Sequence, residues 1–122
     1  TVIDDQYGAP TSAELLADIT AHALRSLQYR PELAGLYHCA AGGETSWHGY
    51  ARFVLDHAQT LGQPLKAGPE QVAPVPTSSY PTPARRPLNS RLNTTRLQTA
   101  FGLTLPHWQT GVARMLTEIA GK

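Results

Sequence analysis

The amino-acid sequence predicts an α/β fold, and three observations support this prediction. Short apolar runs of strand length alternate with longer runs in which apolar residues recur every three or four positions. Residues that favour turns separate the two kinds of run, as they do in alternating strand and helix units. Towards the C-terminal end the helical pattern dominates, so the alternating part is expected to pass into a more helical part.

The first elements are a strand end and a helix. Residues 2–3 predict the end of a buried strand, and residues 4–10, rich in Asp, Gly and Pro, predict a turn. Residues 11–27 predict the first helix, because Thr11 and Glu14 have the spacing of a capping box. The apolar residues on one face of this helix are Leu15, Leu16, Ile19, Ala23 and Leu27.

A second strand and a second helix follow a loop. Residues 35–40 form an apolar run with the length of a strand. Residues 46–62 predict a helix that ends at Gly62, a residue typical of helix C-termini. The apolar residues that keep the helical period are Trp47, Tyr50, Val54, Ala58 and Leu61.

The last elements are a short strand and two helices. Residues 71–76 alternate as a strand does, and their prolines indicate an edge position or an early end. Asn93 is expected to cap a helix over residues 94–102. Pro106 is expected in the first turn of the last helix. The residues of that helix predicted to face inward are Trp108, Val112, Met115, Leu116 and Ile119.

The composition excludes several classes of protein. Of the 122 residues, 41% are apolar and 16% are charged, which is a globular composition. The formal net charge of +1 argues against binding to nucleic acid or to a membrane surface. No apolar run approaches the roughly 20 residues of a membrane span. A single cysteine excludes an internal disulfide and favours the cytoplasm. The chain lacks an initial Met and opens within a strand, so we expect a segment before Thr1.

The densest positive charge lies in a proline-rich stretch, "YPTPARRPLNSRL", which we call the proline–arginine segment (residues 80–92). A guanidinium pairs with a phosphate through two parallel hydrogen bonds and stays charged at working pH. Arg85 and Arg86 therefore make the segment a candidate site for a nucleotide diphosphate, with Asn89 and Ser90 as neutral donors. The alternative is a surface loop whose arginines are solvated or paired with nearby acids.

Other stretches are weaker candidates. The Gly-rich residues 40–45 could present backbone donors to an anion, but a tight turn with Thr45 or Ser46 capping the next helix explains them better. Cys39 stands in an apolar run and is interpreted as a small core residue. The five histidines have no zinc-site spacing. No Tyr is followed four residues later by Lys, the pairing of many dehydrogenases.

Four stretches together resemble a known family. They are "DDQYGAPTSAELLAD", "GLYHCAAGGETSWHGYARFV", "PTSSYPTPARRPLNSRLNT" and "LPHWQTGVARMLTE". In this order they resemble the C-terminal part of dTDP-4-dehydrorhamnose reductases, which belong to the extended short-chain dehydrogenase/reductase (SDR) superfamily. The resemblance implies the C-terminal portion of a Rossmann-like fold: its late strands and helices in residues 1–45, and mainly a small substrate-binding lobe in residues 46–122.

The resemblance also implies a reaction. Such enzymes reduce dTDP-4-dehydro-L-rhamnose with NADPH or NADH, and the dTDP-L-rhamnose that they make enters bacterial cell-surface polysaccharides, including lipopolysaccharide. The dinucleotide-binding domain and the catalytic Tyr and Lys would lie upstream, so residues 1–122 alone are expected to be inactive. The family's late Arg-Pro segment lies near the substrate diphosphate, which implies substrate binding by Arg85, Arg86, Asn89 and Ser90.

The resemblance further implies a metal and a partner. Some members are homodimers bridged by Mg²⁺ through glutamates, and Glu14 and Glu118 match two such positions. Hard cations prefer carboxylate oxygens, although Glu14 also fits a helix cap and Glu118 a solvated helix surface. Two other functions remain open: a non-catalytic SDR-like regulatory subunit, and a free-standing nucleotide-sugar binding module. The upstream Tyr and Lys would distinguish a reductase from a regulator.

Overall fold

Four helices carry most of the regular structure in the computed structural model, which describes residues 1–121. They are α1 (Ala13–Tyr29), α2 (Trp47–Thr60), α3 (Thr95–Phe101) and α4 (Trp108–Ile119). All four lie where the apolar period predicts a helix. Three short 3-10 turns connect them at Pro31–Leu33, Pro69–Gln71 and Thr77–Ser79.

Four two-residue strands form two small sheets. They are β1 (Val2–Ile3), β2 (Tyr7–Gly8), β3 (Thr45–Ser46) and β4 (Pro74–Val75). β1 pairs in parallel with β4, and β2 pairs antiparallel with β3. The strands predicted at 2–3 and within 71–76 are thus confirmed, the second one shortened.

One edge of β4 carries prolines. The carbonyls of Ala73 and Val75 accept hydrogen bonds from the β1 side, at 2.9 Å from the Val2 amide and 2.8 Å from the Asp4 amide. Successive residues of a strand direct their backbone groups to opposite edges. The backbone groups of Pro74 and Pro76 therefore face the edge away from β1. The prediction that these prolines mark an edge strand is confirmed, since β4 pairs with β1 alone among the described residues.

The strand predicted over residues 35–40 is wrong. Among the described residues this segment forms no strand, and its backbone is held by hydrogen bonds just after its end. The Ala41 amide donates to Thr11 Oγ1 at 3.0 Å, and the Gly42 amide donates to the Pro106 carbonyl at 2.7 Å. Of its side chains, Tyr37 and Cys39 pack against the core cluster around α3, whereas Leu36 is exposed.

The helix ends agree with the sequence in part. Gly62 and Gly102 both have a left-handed backbone, with φ of +80° and +62°, and follow α2 and α3 as predicted. The Asn93 side chain accepts from the Thr95 amide at 2.9 Å, next to the capping residue. Pro106 is not in the first turn of α4, because His107 is the N-cap and its Nδ1 accepts from the Gln109 amide at 3.2 Å.

The capping box predicted at Thr11 and Glu14 is also wrong. Ser12 caps α1 instead, and its Oγ accepts from the Leu15 amide at 3.1 Å. The Thr11 hydroxyl donates to the Ala9 carbonyl at 2.9 Å and so serves the turn before the helix. The cap lies one residue later than predicted. The sequence alone does not decide between the two positions, because Thr and Ser are both good helix caps.

The core consists of two clusters that α1 connects. The first is built on Ala41, Trp108 and Val112, and the second on Leu97, Phe101 and Leu105. α1 adds Leu15 to the first cluster, and Ile19 and Ala23 to the second. Residues on both sides of position 45 therefore share both clusters.

Four residues predicted to face inward are exposed instead: Leu16, Trp47, Met115 and Ile119. In α4 the buried line runs through Trp108, Val112 and Leu116, four residues apart. Met115 and Ile119 each follow a residue of this line by three positions, about 60° short of a full helix turn, so both fall on the same exposed side of the line. No helix in residues 1–121 has the length and apolar character that a membrane crossing requires.

The two tryptophans provide a test of the core. Trp108 is 4% exposed and Trp47 is 57% exposed. We expect Trp108→Ala to lower the free energy of unfolding by about 3–5 kcal/mol, because it leaves a cavity at the centre of a cluster. Trp47→Ala should cost about 1 kcal/mol or less. Urea unfolding of the whole protein that carries this chain measures both, and equal costs would contradict the assignment of Trp108 to the core.

Two glycines with positive φ provide a second test. A Cβ built on Gly43 would lie 2.5 Å from His107 Nε2, whereas one on Gly62 would meet no atom within 4 Å. Gly62→Ala should therefore carry only the cost of a left-handed backbone, about 1–2 kcal/mol. Gly43→Ala should add about 1–3 kcal/mol for the forced displacement of His107. The same urea experiment compares them, and a Gly43 variant no worse than the Gly62 variant would show that the His107 contact is absent.

Candidate functional site

The proline–arginine segment lies along the small β2–β3 sheet. The Tyr7 amide donates to the Leu88 carbonyl at 2.8 Å, and the Ser90 amide donates to the Tyr7 carbonyl at 2.7 Å. These two bonds make residues 88–90 a parallel neighbour of β2, with Asn89 opposite Tyr7. Every residue from 80 to 92 is exposed, so the side chains of this segment are available to a ligand.

A cleft of ≈ 860 Å³ opens beside this segment, and we call it the arginine cleft. Three separate parts of the chain line it: Gln6–Thr11, the residues Thr45, Ser46, Trp47 and Tyr50, and the residues Arg86, Pro87 and Ser90. Arg86 is the one charged side chain among these lining residues, which all lie in the described range. The N-terminus of α2 also faces this region, and its partial positive charge has the same sign. An anion is therefore the ligand charge that the cleft favours.

The four predicted substrate-binding residues separate into two pairs. Arg86 and Ser90 line the arginine cleft. Arg85 is exposed and is not among the lining residues. Asn89 is not among them either. Its Oδ1 accepts hydrogen bonds from the amide and the Nε of Arg91, at 3.0 and 2.8 Å. The structure thus brings together the second arginine and the serine.

Aromatic side chains form part of the cleft that sequence reasoning missed. Trp47 stands at its wall and packs edge-to-face on Tyr50, with ring centroids 6.4 Å apart. Tyr7 is a third aromatic lining residue and is 40% exposed. The helical period placed Trp47 in the core, although its position directly after the capping Ser46 was a signal against burial. Exposed aromatic faces beside a positive charge can receive a flat ring.

Polar contacts fix the base of the cleft. Ser46 is 6% exposed, and its Oγ donates to Asp4 Oδ1 at 2.7 Å while it accepts from the Gly49 amide at 3.1 Å. Ser46 therefore caps α2, as one of the two predicted candidates. In the Gly-rich stretch before it, the Gly42 amide already donates to the Pro106 carbonyl at 2.7 Å and is not free for an anion. This supports the structural interpretation of residues 40–45 over the anion-binding one.

The two predicted metal ligands lie in a second cleft of ≈ 490 Å³, the acidic cleft, between the start of α1 and α4. Both carboxylates contact one guanidinium: Arg114 Nη1 lies 2.9 Å from Glu14 Oε2, and Arg114 Nε lies 3.3 Å from Glu118 Oε1. Asp18 also lines this cleft. Within residues 1–121, no group of three or more His, Cys, Asp or Glu side chains is placed to hold a metal ion. The carboxylates have the right chemistry for Mg²⁺, but with Arg114 between them the described residues alone do not form the site.

Cys39 provides a third prediction. It is half-buried, and this burial raises the pKa of its thiol. Since the thiolate is the reactive form, we expect alkylation of Cys39 by iodoacetamide at pH 7 to be slower in the folded protein than in urea. The midpoint of the rate against pH should also lie higher in the folded protein. Peptide mapping by mass spectrometry measures both, and equal rates and midpoints would contradict the burial of Cys39.

Comparison with protein families gives one match along nearly the whole chain. Residues 1–120 match the family described as "RmlD substrate binding domain". Among curated proteins, the dTDP-4-dehydrorhamnose reductase of Salmonella typhimurium is 59% identical over 119 residues, which are 98% of this chain and 39% of that protein. The dTDP-4-dehydrorhamnose reductase of Burkholderia thailandensis is 37% identical over 122 residues, covering 97% of this chain and 41% of that protein. The chain thus spans about two fifths of the length of these relatives.

Solved structures of the same kind of protein share the fold. A dTDP-4-dehydrorhamnose reductase from Clostridium acetobutylicum aligns with 97% of this chain and 38% of its own, with a TM-score of 0.79 and 24% identity. One from Bacillus anthracis, solved in complex with NADP, aligns with 96% of this chain and 37% of its own, with a TM-score of 0.70 and 25% identity. The predicted fold class, an α/β C-terminal portion of such a reductase, is confirmed.

Proposed function

The chain belongs to the RmlD substrate-binding domain family, and from this membership we propose that it provides the substrate-binding part of a dTDP-4-dehydrorhamnose reductase. The ligand is the dTDP-sugar, and the arginine cleft is its site. The observation that carries this proposal is the position of Arg86, the one charge among the residues that line the cleft.

The chemistry of the cleft suits a nucleoside diphosphate sugar. The Arg86 guanidinium can donate two parallel hydrogen bonds to phosphate oxygens, and it remains charged at any working pH. Ser90 adds a hydroxyl at the same wall. Trp47 and Tyr50 offer ring faces and edges to the thymine base. A volume of ≈ 860 Å³ lies within the range of small-molecule pockets, about 300–1,000 Å³.

The acidic cleft is a poor alternative site for this ligand. Its lining carries Glu14, Asp18 and Glu118 against the single cation Arg114. A diphosphate placed there would meet two uncompensated carboxylates, and like charges at short range are unfavourable. Charge alone therefore assigns the diphosphate to the arginine cleft.

The role of this chain in the reaction is to bind and orient. NADPH or NADH supplies the hydride that reduces the 4-keto group, and it is held by a dinucleotide-binding domain elsewhere in the same protein. The proton donor is also elsewhere, since residues 1–122 contain no Tyr followed four positions later by Lys. The chain's residues hold the diphosphate, fix the sugar relative to the cofactor and cover it from water. Orientation of this kind lowers the activation barrier without any bond to the reacting atoms.

The domain arrangement follows from this role. We assign residues 1–45 to the last strand and helix units of the nucleotide-binding fold, and residues 46–122 mainly to the substrate-binding lobe. The two parts share both core clusters, so we treat them as one packed unit. We place the protein in the bacterial cytoplasm, where its product would supply rhamnose for cell-surface polysaccharide.

A metal site is a separate proposal. Glu14 and Glu118 could hold Mg²⁺ at a homodimer contact only if Arg114 withdrew and further oxygen donors came from outside the described residues. We therefore give the ion no role in binding the dTDP-sugar.

Adjacent arginines provide the test. We expect Arg86→Met to weaken dTDP binding at least tenfold, because a hydrogen bond to a charged group contributes about 1.5–3 kcal/mol. Arg85→Met removes the same charge from the neighbouring position outside the cleft lining, and it should change the affinity less than about twofold. Isothermal titration of the whole protein with dTDP measures both. Equal losses from the two variants would mean that the segment acts only through its total charge.

Turnover distinguishes the proposed enzyme from a regulatory relative. The whole protein should oxidise NADPH when dTDP-4-dehydro-L-rhamnose is added. Binding of dTDP without turnover would favour a non-catalytic SDR-like subunit.

A further inference from the structure

Arg91 makes more contacts than either arginine proposed above, although nothing assigns it a role. Its Nη1 donates to Glu44 Oε2 at 2.7 Å and its Nε donates to Asn89 Oδ1 at 2.8 Å. The guanidinium carbon lies 5.9 Å from the centre of the Tyr7 ring. We call these four residues the Arg91 clasp. It joins three parts of the chain that are distant in sequence.

The clasp holds the proline–arginine segment at one end. The backbone of Tyr7 forms hydrogen bonds with Leu88 and Ser90, and these two bonds fix the segment on β2. The clasp therefore contacts the segment at the same place as these two bonds. Before Leu88, the segment has few contacts that hold it. In residues 81–87 the Thr82 hydroxyl donates to the Ala84 carbonyl at 2.6 Å, and this bond lies within the segment itself. Arg86 stands two residues from the fixed end. Its position over the arginine cleft therefore depends on where residues 88–91 are held.

We propose that Arg91 is a positioning residue, which fixes the register of residues 88–90 on β2 and so orients Arg86 and Ser90 toward the dTDP diphosphate. The inference rests on the proposed function, because it explains how the cleft presents its one charge. It assigns Arg91 no contact with the ligand.

Two features separate positioning from direct binding. The carboxylate of Glu44 compensates the charge of the Arg91 guanidinium at its Nη1, and Asn89 Oδ1 accepts from its Nε. Arg91 is also absent from the residues that line the arginine cleft. A phosphate approaching Arg91 would meet the Glu44 carboxylate beside it, and like charges at short range are unfavourable.

A further feature separates positioning from general stability. The side chains of Arg91 and Glu44 are 46% and 51% exposed, and exposed ion pairs contribute little to global stability. Their effect is local, because a segment with few other contacts opens separately from the core. A segment already ordered in its binding geometry binds more tightly, since less conformational entropy is lost on association.

The experiment uses the whole protein that carries this chain and three variants. Arg91→Met removes the clasp. The double variant Glu44→Arg, Arg91→Glu exchanges the charges, and the Asn89 amide can turn to donate to the new carboxylate. Arg30→Met is the matched control, because Arg30 forms a similarly exposed ion pair with Glu32 at 3.2 Å, away from the cleft. Titration with dTDP gives the affinity, and hydrogen exchange gives the protection of the Tyr7 and Ser90 amides.

We expect Arg91→Met to weaken dTDP binding by about tenfold, as the cost of ordering a loop implies. Exchange of the Tyr7 and Ser90 amides should accelerate to a similar degree, while exchange in the two core clusters stays unchanged. The charge-exchanged variant should recover most of the affinity and the protection, and Arg30→Met should alter neither. Should the exchanged pair fail to fold, Arg91→Lys replaces it: Lys keeps the charge beside Glu44 but not the fork to Asn89, so its losses should be intermediate.

Three results would overturn the inference. Unchanged affinity and unchanged amide exchange in Arg91→Met would mean that the clasp holds nothing. Weaker binding with unchanged exchange would make Arg91 a ligand residue. So would recovered protection without recovered affinity in the charge-exchanged variant. The proposed function is judged separately, by wild-type affinity for dTDP: no wild-type binding removes the function, whereas tight wild-type binding with an unaffected Arg91→Met removes only the role of the clasp.

Discussion

Two backbone hydrogen bonds connect Gly42 with the start of α4, more than 60 positions later in the chain. The Gly42 amide donates to the Pro106 carbonyl at 2.7 Å, and the Trp108 amide donates to the Gly42 carbonyl at 3.0 Å. A side chain at position 42 would meet carbonyl oxygens at 3.1 and 3.4 Å, so this approach requires glycine. The contact sets Trp108 against Tyr50 of α2, with ring centroids 6.4 Å apart. Tyr50 lines both clefts, so the shape of each depends on this one contact.

The two clefts separate charge of opposite sign on neighbouring surfaces. Pro10, Thr11 and Tyr50 line both, so the clefts are adjacent. One presents Arg86 as its charge, and the other is lined by three carboxylates, two of which contact Arg114. An anionic ligand is attracted to the first and repelled by the second, which orients it before any hydrogen bond forms. The fold thus contributes to specificity through the placement of charges as well as through contacts.

Local features of the fold could be predicted from the sequence, and pairings between distant residues could not. All four helices and the glycines that follow α2 and α3 were predictable, because period and capping are local properties. The β2–β3 pairing was not, since it joins two-residue strands far apart in the chain. In the candidate site the arginine pair was found, but two adjacent arginines look alike in sequence, and only the fold turns Arg86 rather than Arg85 to the cleft. The contact of Arg91 with Glu44 spans 47 positions and left no signal in the sequence.

The prolines of β4 have a consequence for how copies of the protein behave at high concentration. An unpaired strand edge is normally a template for another chain, since its free N–H and C=O groups invite a new ladder. On the outer edge, position 74 in β4 and position 76 just after it have no N–H groups, because both are proline, and the Pro76 carbonyl already accepts from the Ser79 amide at 3.0 Å. An incoming strand would find no N–H donors there. The prolines thus disfavour fibril-like stacking and other edge-to-edge aggregation at this sheet.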